Sequence, residues 1–378
     1  MNEKTINKRQ AVLLTALLLL GNTVLVGGVS SNARQNDWIA QLLSAVVILP
    51  MYLMYTRIVR LLPNQGLFDM FFTLFGKIGG CIFSIIMIVY AFSIAVVVIR
   101  SFTEFVSVTS LPYTPQLFMA FILSALCAWL VMSGPGNLGR LSTLAFLWVA
   151  VITVSTFLLG LGNMDVGNLG PVGREDVRPI VKDGLFMAAL PFGQAVIMLP
   201  LFGQIKEHKK NARVLLWGLL LGNIFIMISL MRNILMLGDK TFFESYFPSY
   251  MAVSMISLGD FFQRFEAFVS SNLLISVFMK IAICYYAIEN GFSKMVRTPF
   301  RAKMILPAVA LIAAALSSVI VKDTLQLKDF RQITVLYSPL FQVIIPAVVW
   351  IAAEIKNKKR HKTKKERENP AVAVSRSL

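Results

Sequence analysis

The sequence predicts an all-α polytopic membrane protein of about ten transmembrane helices, and three observations carry that prediction. The 378 residues are 57% hydrophobic and only 15% charged, whereas soluble domains carry roughly a quarter charged residues. Apolar runs of the length that crosses a bilayer, about 20 residues, recur along nearly the whole chain. Cations concentrate in alternate connectors between those runs, as expected of helices that cross back and forth.

The first run, 11–29, follows a basic start with Lys4, Lys8 and Arg9 that resembles the opening of a signal peptide. Ser30, Ser31 and Asn32 lead into Arg34 and Asp37 and offer no small-residue cleavage site, so the run is read as a retained first span. Further runs fall at 39–61, 78–99, 116–132 and 141–161. A long connector from Asn163 to Asp183, carrying Gly167, Gly170, Pro171 and Gly173, then marks a midpoint. The second set falls at 184–205, 214–236, 263–287, 304–321 and 333–353. The organisation expected is a single transmembrane domain over 1–355, with repeats at about 1–162 and 184–355. Residues 356–378 then form a basic, disordered tail.

Orientation follows from the connectors. Arg57, Arg60 and Lys77 share one side with Lys206, Lys209, Lys210 and Arg213, and with Lys294, Arg297, Arg301 and Lys303. The C-terminal run from Lys356 to Arg367 joins them. The alternate connectors mix fewer cations with acids, as in Arg174, Glu175, Asp176 and Arg178. The positive-inside rule therefore places both termini in the cytoplasm and requires an even number of spans. The net charge of +17 is juxtamembrane, which points to anionic membrane lipids rather than nucleic acid as its partner.

Several function classes are excluded. Cys81, Cys127 and Cys284 lie inside apolar runs, and His208 and His361 lie in basic loop or tail sequence. Neither set suggests a metal or a catalytic centre. The chain carries no GKS/GKT phosphate loop, HExxH or GxSxG, so no enzyme activity and no cofactor is expected.

Two features point to a binding site. The opening span of each half is interrupted, by Gly21-Asn22 and Gly27-Gly28 in the first and by Leu190-Pro-Phe-Gly-Gln194 in the sixth. Proline and glycine weaken helix and free backbone polar groups, which survive in a membrane only where they line a protected cavity. Matched interruptions in two halves are the pattern of a transporter site near the midplane, although either one alone also fits close packing or a kink.

The second feature is a small set of polar residues in the spans. Arg100 with Glu104, four apart on one face, and Arg264 with Glu266 are read as structural ion pairs or gate residues. Lys280 is expected to reach the inner interface and snorkel there. Ser270, Ser271 and Asn272 place polar groups at intermediate depth, for bonds across helices or for a ligand. The segment from Pro248 to Leu258 fits a short interfacial helix, either a lid or a passive surface element.

Taken in order, Asn22 with Gly27-Gly28, Asn36-Asp-Trp-Ile39, Arg100-Ser-Phe-Thr-Glu104-Phe, Leu111-Pro-Tyr-Thr-Pro115, Asn168-Leu-Gly-Pro171, Pro191-Phe-Gly193 and Leu258-Gly-Asp-Phe-Phe-Gln-Arg264-Phe-Glu266 resemble the spore germination permease family. These are the B subunits of endospore germinant receptors, related to the amino acid, polyamine and organocation transporters. The resemblance implies a five-plus-five inverted repeat of the LeuT type with broken helices 1 and 6. It implies a ligand pocket drawing on Gly27, Gly28, Val29, Tyr90, Pro191, Phe192, Gly193 and Ser271. It further implies a sensor of a nutrient germinant, of the amino acid or sugar class, in the spore inner membrane beside an A subunit and a lipoprotein C subunit. No acidic residue lies in the first or sixth span, which leaves recognition of a ligand amine without a partner there, whereas freed N–H groups suit a carboxylate. A secondary active transporter for amino acids or related solutes is the alternative reading.

Overall fold

Among the described residues, helix forms where the sequence places an apolar run, because a backbone crossing hydrocarbon must satisfy its own hydrogen bonds. The computed structural model describes residues 5–22, 33–170, 177–205, 213–256, 266–296, 303–320 and 324–368. Helix α1 spans Lys8–Leu20, opened by a capping box in which the Gln10 side chain accepts from the Asn7 N–H at 2.9 Å. A 3₁₀ turn at Arg34–Asn36 leads into α2, Asp37–Leu61. Helix α3 runs over Leu67–Thr109 with a kink at Gly76, whose φ of 70° is open to glycine. It is longer than the third apolar run, and it takes in Lys77, expected in a connector. Helices α4 (Gln116–Met132) and α5 (Pro135–Leu159) complete the first half.

The second half opens with α6, Val177–Met187, which continues as a π segment at Ala188–Phe192 and a 3₁₀ stretch at Gly193–Gln204. Then follow α7 (Val214–Glu244), the short α8 (Pro248–Ser254), α9 (Glu266–Val296) and α10 (Leu306–Val319). Helix α11 (Thr324–Pro339) passes through a second π segment, Leu340–Ile344, into α12 (Ile345–Glu368). Helix α12 thus extends well into the basic stretch from 356 that the composition suggested was disordered. Among the described residues seven stretches are long and apolar enough to cross a membrane, and α4 and α10 are shorter apolar helices. Val46, Ile78, Trp129, Leu144 and Leu336 are more than half exposed, as side chains solvated by lipid are.

The packing carries an internal symmetry. If α1 to α5 are answered in order by the α6 stretch, α7, α9, α10 and α11–α12, each contact should recur between counterparts. The α1–α7 contact is matched by α2–α6, while α3 packs on its own counterpart α9 and α4 on its counterpart α10. These four are the most extensive helix pairings among the described residues, so the inverted repeat organises the core.

The connectors grouped by charge also meet at one end. Arg57 pairs with Glu354 at 2.7 Å, Lys294 with Asp69 at 2.6 Å, and Lys356 donates to the Thr73 carbonyl at 2.8 Å. At the opposite end Arg34 meets Asp239 at 3.4 Å and Asn163 donates to the Met255 carbonyl at 2.8 Å. Exposed pairs of this kind contribute about 0–1 kcal/mol each, so they report which connectors share a side rather than hold the fold.

Candidate functional site

The site grows from Pro191. Proline has no N–H to donate, and in an α-helix its ring would press on the carbonyl four residues back; the wider π turn at 188–192 relieves that crowding. The change of pitch diverts carbonyls from the helical ladder, and side chains from other helices take them up. Tyr52 Oη of α2 donates to the Phe192 carbonyl at 3.0 Å, and Gln342 Nε2 donates to the Ala189 carbonyl at 2.7 Å.

Gln342 sits in the other π segment, bracketed by Pro339 and Pro346. Its second amide hydrogen goes to Tyr90 Oη at 2.7 Å, and its own carbonyl accepts from Tyr55 Oη at 2.5 Å. The Tyr90 ring stacks on Phe341, centroids 4.4 Å apart. One buried amide therefore joins the two π segments to α2 and α3. Gly193 makes this possible, since a Cβ there would lie 2.0 Å from Gln342 Oε1.

One residue further on, Gln194 Oε1 accepts from Lys280 Nζ at 2.5 Å and from Asn22 Nδ2 at 3.2 Å. Lys280 is fully buried on α9. It lies against the end of α1, where a Cβ on Gly21 would come within 2.9 Å of Lys280 Cδ. The C-terminal end of a helix carries partial negative charge, which favours an ammonium at that place. Asn22, Gln194 and Lys280 thus knot the first helix, the broken sixth stretch and α9 together.

Beside this knot lies a small cavity between α1, α3, the α6 stretch and α11. Its polar lining is Asn22, Ser93, Ser101, Gln194, Thr334 and Tyr337, and its walls include Val97, Phe186 and Leu190. A mostly apolar cavity with a few convergent neutral polar groups suits a small ligand.

The residues singled out in the sequence distribute as follows. Pro191, Phe192 and Gly193 are buried at the break, between the lining residues Leu190 and Gln194. Tyr90 is buried three positions before Ser93 and acts through Gln342. Ser271 lies elsewhere, bonded to the Phe268 carbonyl at 2.7 Å and to Trp148 Nε1 at 3.2 Å, and it does not line this cavity. Gly27, Gly28, Val29 and Arg264 lie outside the described residues, and Glu266 is the first residue of α9. Arg100 and Glu104 form a buried ion pair at 2.8 Å, with Gln116 of α4 bonded to both. That arrangement fastens α3 to the start of α4, beside Ser101 of the cavity.

Lys280 departs from expectation. It does not reach an interface, because α9 continues to Val296 and leaves position 280 in mid-helix, turned toward α1 and Gln194. Gln342, Tyr52 and Tyr337 were also missed. The signal that would have found Gln342 is its placement between two prolines in an apolar run.

Residues 5–326 match the family model described as spore germination protein. Over 370 residues the chain is 24% identical to spore germination protein KB of Bacillus subtilis (strain 168), covering 97% of this chain and 99% of that one. It is 24% identical to spore germination protein A2 of the same organism over 80% of this chain and 83% of the relative. With spore germination protein XB of Bacillus anthracis it shares 20% over 91% and 98%. Among solved structures it resembles MHP1, a nucleobase-cation-symport-1 family transporter in a closed conformation with bromovinylhydantoin bound. The TM-score is 0.66 at 12% identity, over 90% of this chain and 78% of that one. MhsT in complex with L-phenylalanine matches at a TM-score of 0.60 and 14% identity, over 92% and 89%. Those two show the fold, that of LeuT-type transporters. The extent of the family match then settles the relationship: this chain is an integral membrane protein that belongs to the spore germination protein family of permeases.

Proposed function

We propose that the chain is the permease-like subunit of a spore germinant receptor. It binds a small nutrient, an amino acid or a sugar, in the cavity between the end of α1 and the π break, and relays binding as a shift of those helices. The observation that carries this reading is the cavity's position: Asn22 and Gln194 line it and are hydrogen-bonded to each other across the two interrupted stretches. A ligand bonded to either amide competes with that bond and with the Lys280 contact, so occupancy changes how α1, α6 and α9 are held. Among the described residues the lining carries no ionised side chain, which favours a ligand neutral overall, as zwitterions and sugars are. The receptor is placed in the spore inner membrane with both termini cytoplasmic, assembled with an A subunit and a lipoprotein C subunit.

Filling the cavity tests the reading. In spores whose only copy carries Val97→Trp, the nutrient concentration for half-maximal germination should rise roughly 5- to 150-fold, the equivalent of 1–3 kcal/mol of overpacking. Receptor abundance by immunoblot should stay unchanged. An unaltered dose response at normal abundance would remove the cavity from the function. The same cavity on a symporter fold also fits a secondary permease; ion-gradient-driven uptake of the germinant by proteoliposomes, with germination unaffected by deletion, would favour that alternative.

A further inference from the structure

A second buried polar cluster lies on the other side of the α1 end, and the function proposed above does not use it. Arg232 of α7 is 3% exposed. Its Nη1 donates to Thr156 Oγ1 at 2.7 Å, and its Nε and Nη2 donate to Asn233 Oδ1 at 3.2 and 2.9 Å. Both acceptors are neutral, and no ion pair involving Arg232 occurs among the described residues. A guanidinium has five N–H donors and does not deprotonate in proteins, so two donors and a full charge remain without an opposite charge. An uncompensated buried charge is strongly unfavourable.

The guanidinium borders a small cavity between α5, α7, α8 and α9. Ser229, Ser249, Ser276, Thr153 and Asn272 supply its remaining polar lining, and Leu20 its wall toward α1. The Ser249 Oγ accepts from Asn233 Nδ2 at 2.8 Å, which leaves its own hydrogen to donate. Among the described residues no carboxylate lines the cavity. A fixed cation ringed by hydroxyls is complementary to negative charge and hostile to a cation.

We propose that this cavity is a binding site for a small monovalent anion, chloride or a short carboxylate, held by the unused guanidinium donors and the serine hydroxyls. The bound anion ties α7 to α9 and to the short helix α8 through Ser249. It is distinct from the nutrient cavity, with which it shares no described lining residue: Leu20 lines one and Asn22 the other.

The test is thermal unfolding of the full chain in lipid nanodiscs at constant ionic strength, replacing bulky morpholinoethanesulfonate with chloride in one series and acetate in another. The melting temperature of the wild type should rise saturably in at least one series, and which one identifies the anion class. Arg232→Gln should abolish the rise and, in sulfonate alone, melt no lower than the wild type, since it removes a charge that lacks its partner. Ser276→Ala should fold and shift the saturation midpoint upward several-fold, and it decides the matter if Arg232→Gln does not accumulate. No saturable rise in the wild type, or the same rise in every variant as a bulk salt effect gives, overturns the proposal.

Discussion

Gln194→Leu is expected to destabilise the protein by roughly 1.5–3 kcal/mol, the usual worth of a hydrogen bond to a charged group. Lys280 donates to Gln194 Oε1 and to no other acceptor among the described residues, and the ammonium is fully buried. Leucine at 194 keeps the volume but takes away the oxygen, and it also releases the Asn22 amide. Lys280→Met alone should cost much less, because it removes the charge together with its need. The double variant Gln194→Leu/Lys280→Met should therefore recover most of the loss, a coupling that a double-mutant cycle reads directly. Thermal unfolding in nanodiscs and accumulation in membranes are the measurements. If Gln194→Leu melts like the wild type, the contact does not hold the α1 end.

Gly193→Val should be of similar severity for a steric reason. Its Cβ would stand 2.0 Å from Gln342 Oε1, so the amide must move. Overpacking costs about 1–3 kcal/mol, and displacing Gln342 leaves the Ala189 carbonyl without its donor, a further 1–3 kcal/mol or so for a buried group. The clash lies with the side chain of Gln342 rather than with backbone. Gln342→Ala in the Gly193→Val background should therefore restore accumulation in part, even though it cannot restore the bridge to Tyr90. Accumulation of Gly193→Val at the wild-type level and melting temperature would contradict the close approach.

The long-range plan of the molecule was legible because it follows from solvent. Runs such as 116–132 fix a helix by length and composition alone, and the α4 bounds coincide with that run. Pro191 and Gly193 pointed to the interruption of the sixth stretch, since both act on the backbone locally. The form of the interruption was not legible: a π turn followed by 3₁₀ helix depends on Tyr52 and Gln342, which lie 140 and 153 residues from the carbonyls they serve. Lys280 illustrates the same limit. Its position along the run 263–287 points to an interface, whereas the face it occupies is set by packing of α9 on α3 and α1. Ser271 shows the converse, a polar residue at plausible depth whose partner, Trp148, turns it away from the cavities.

The central claim is that the cavity between Asn22, Gln194 and Thr334 holds the nutrient. Its most direct test is binding of single amino acids and sugars to the chain in nanodiscs, read by thermal shift and compared between wild type and Val97→Trp. At least one compound that germinates spores through this subunit should bind saturably to the wild type and lose that binding in Val97→Trp. Saturable binding of such a compound that Val97→Trp leaves intact would place the ligand elsewhere and contradict the account.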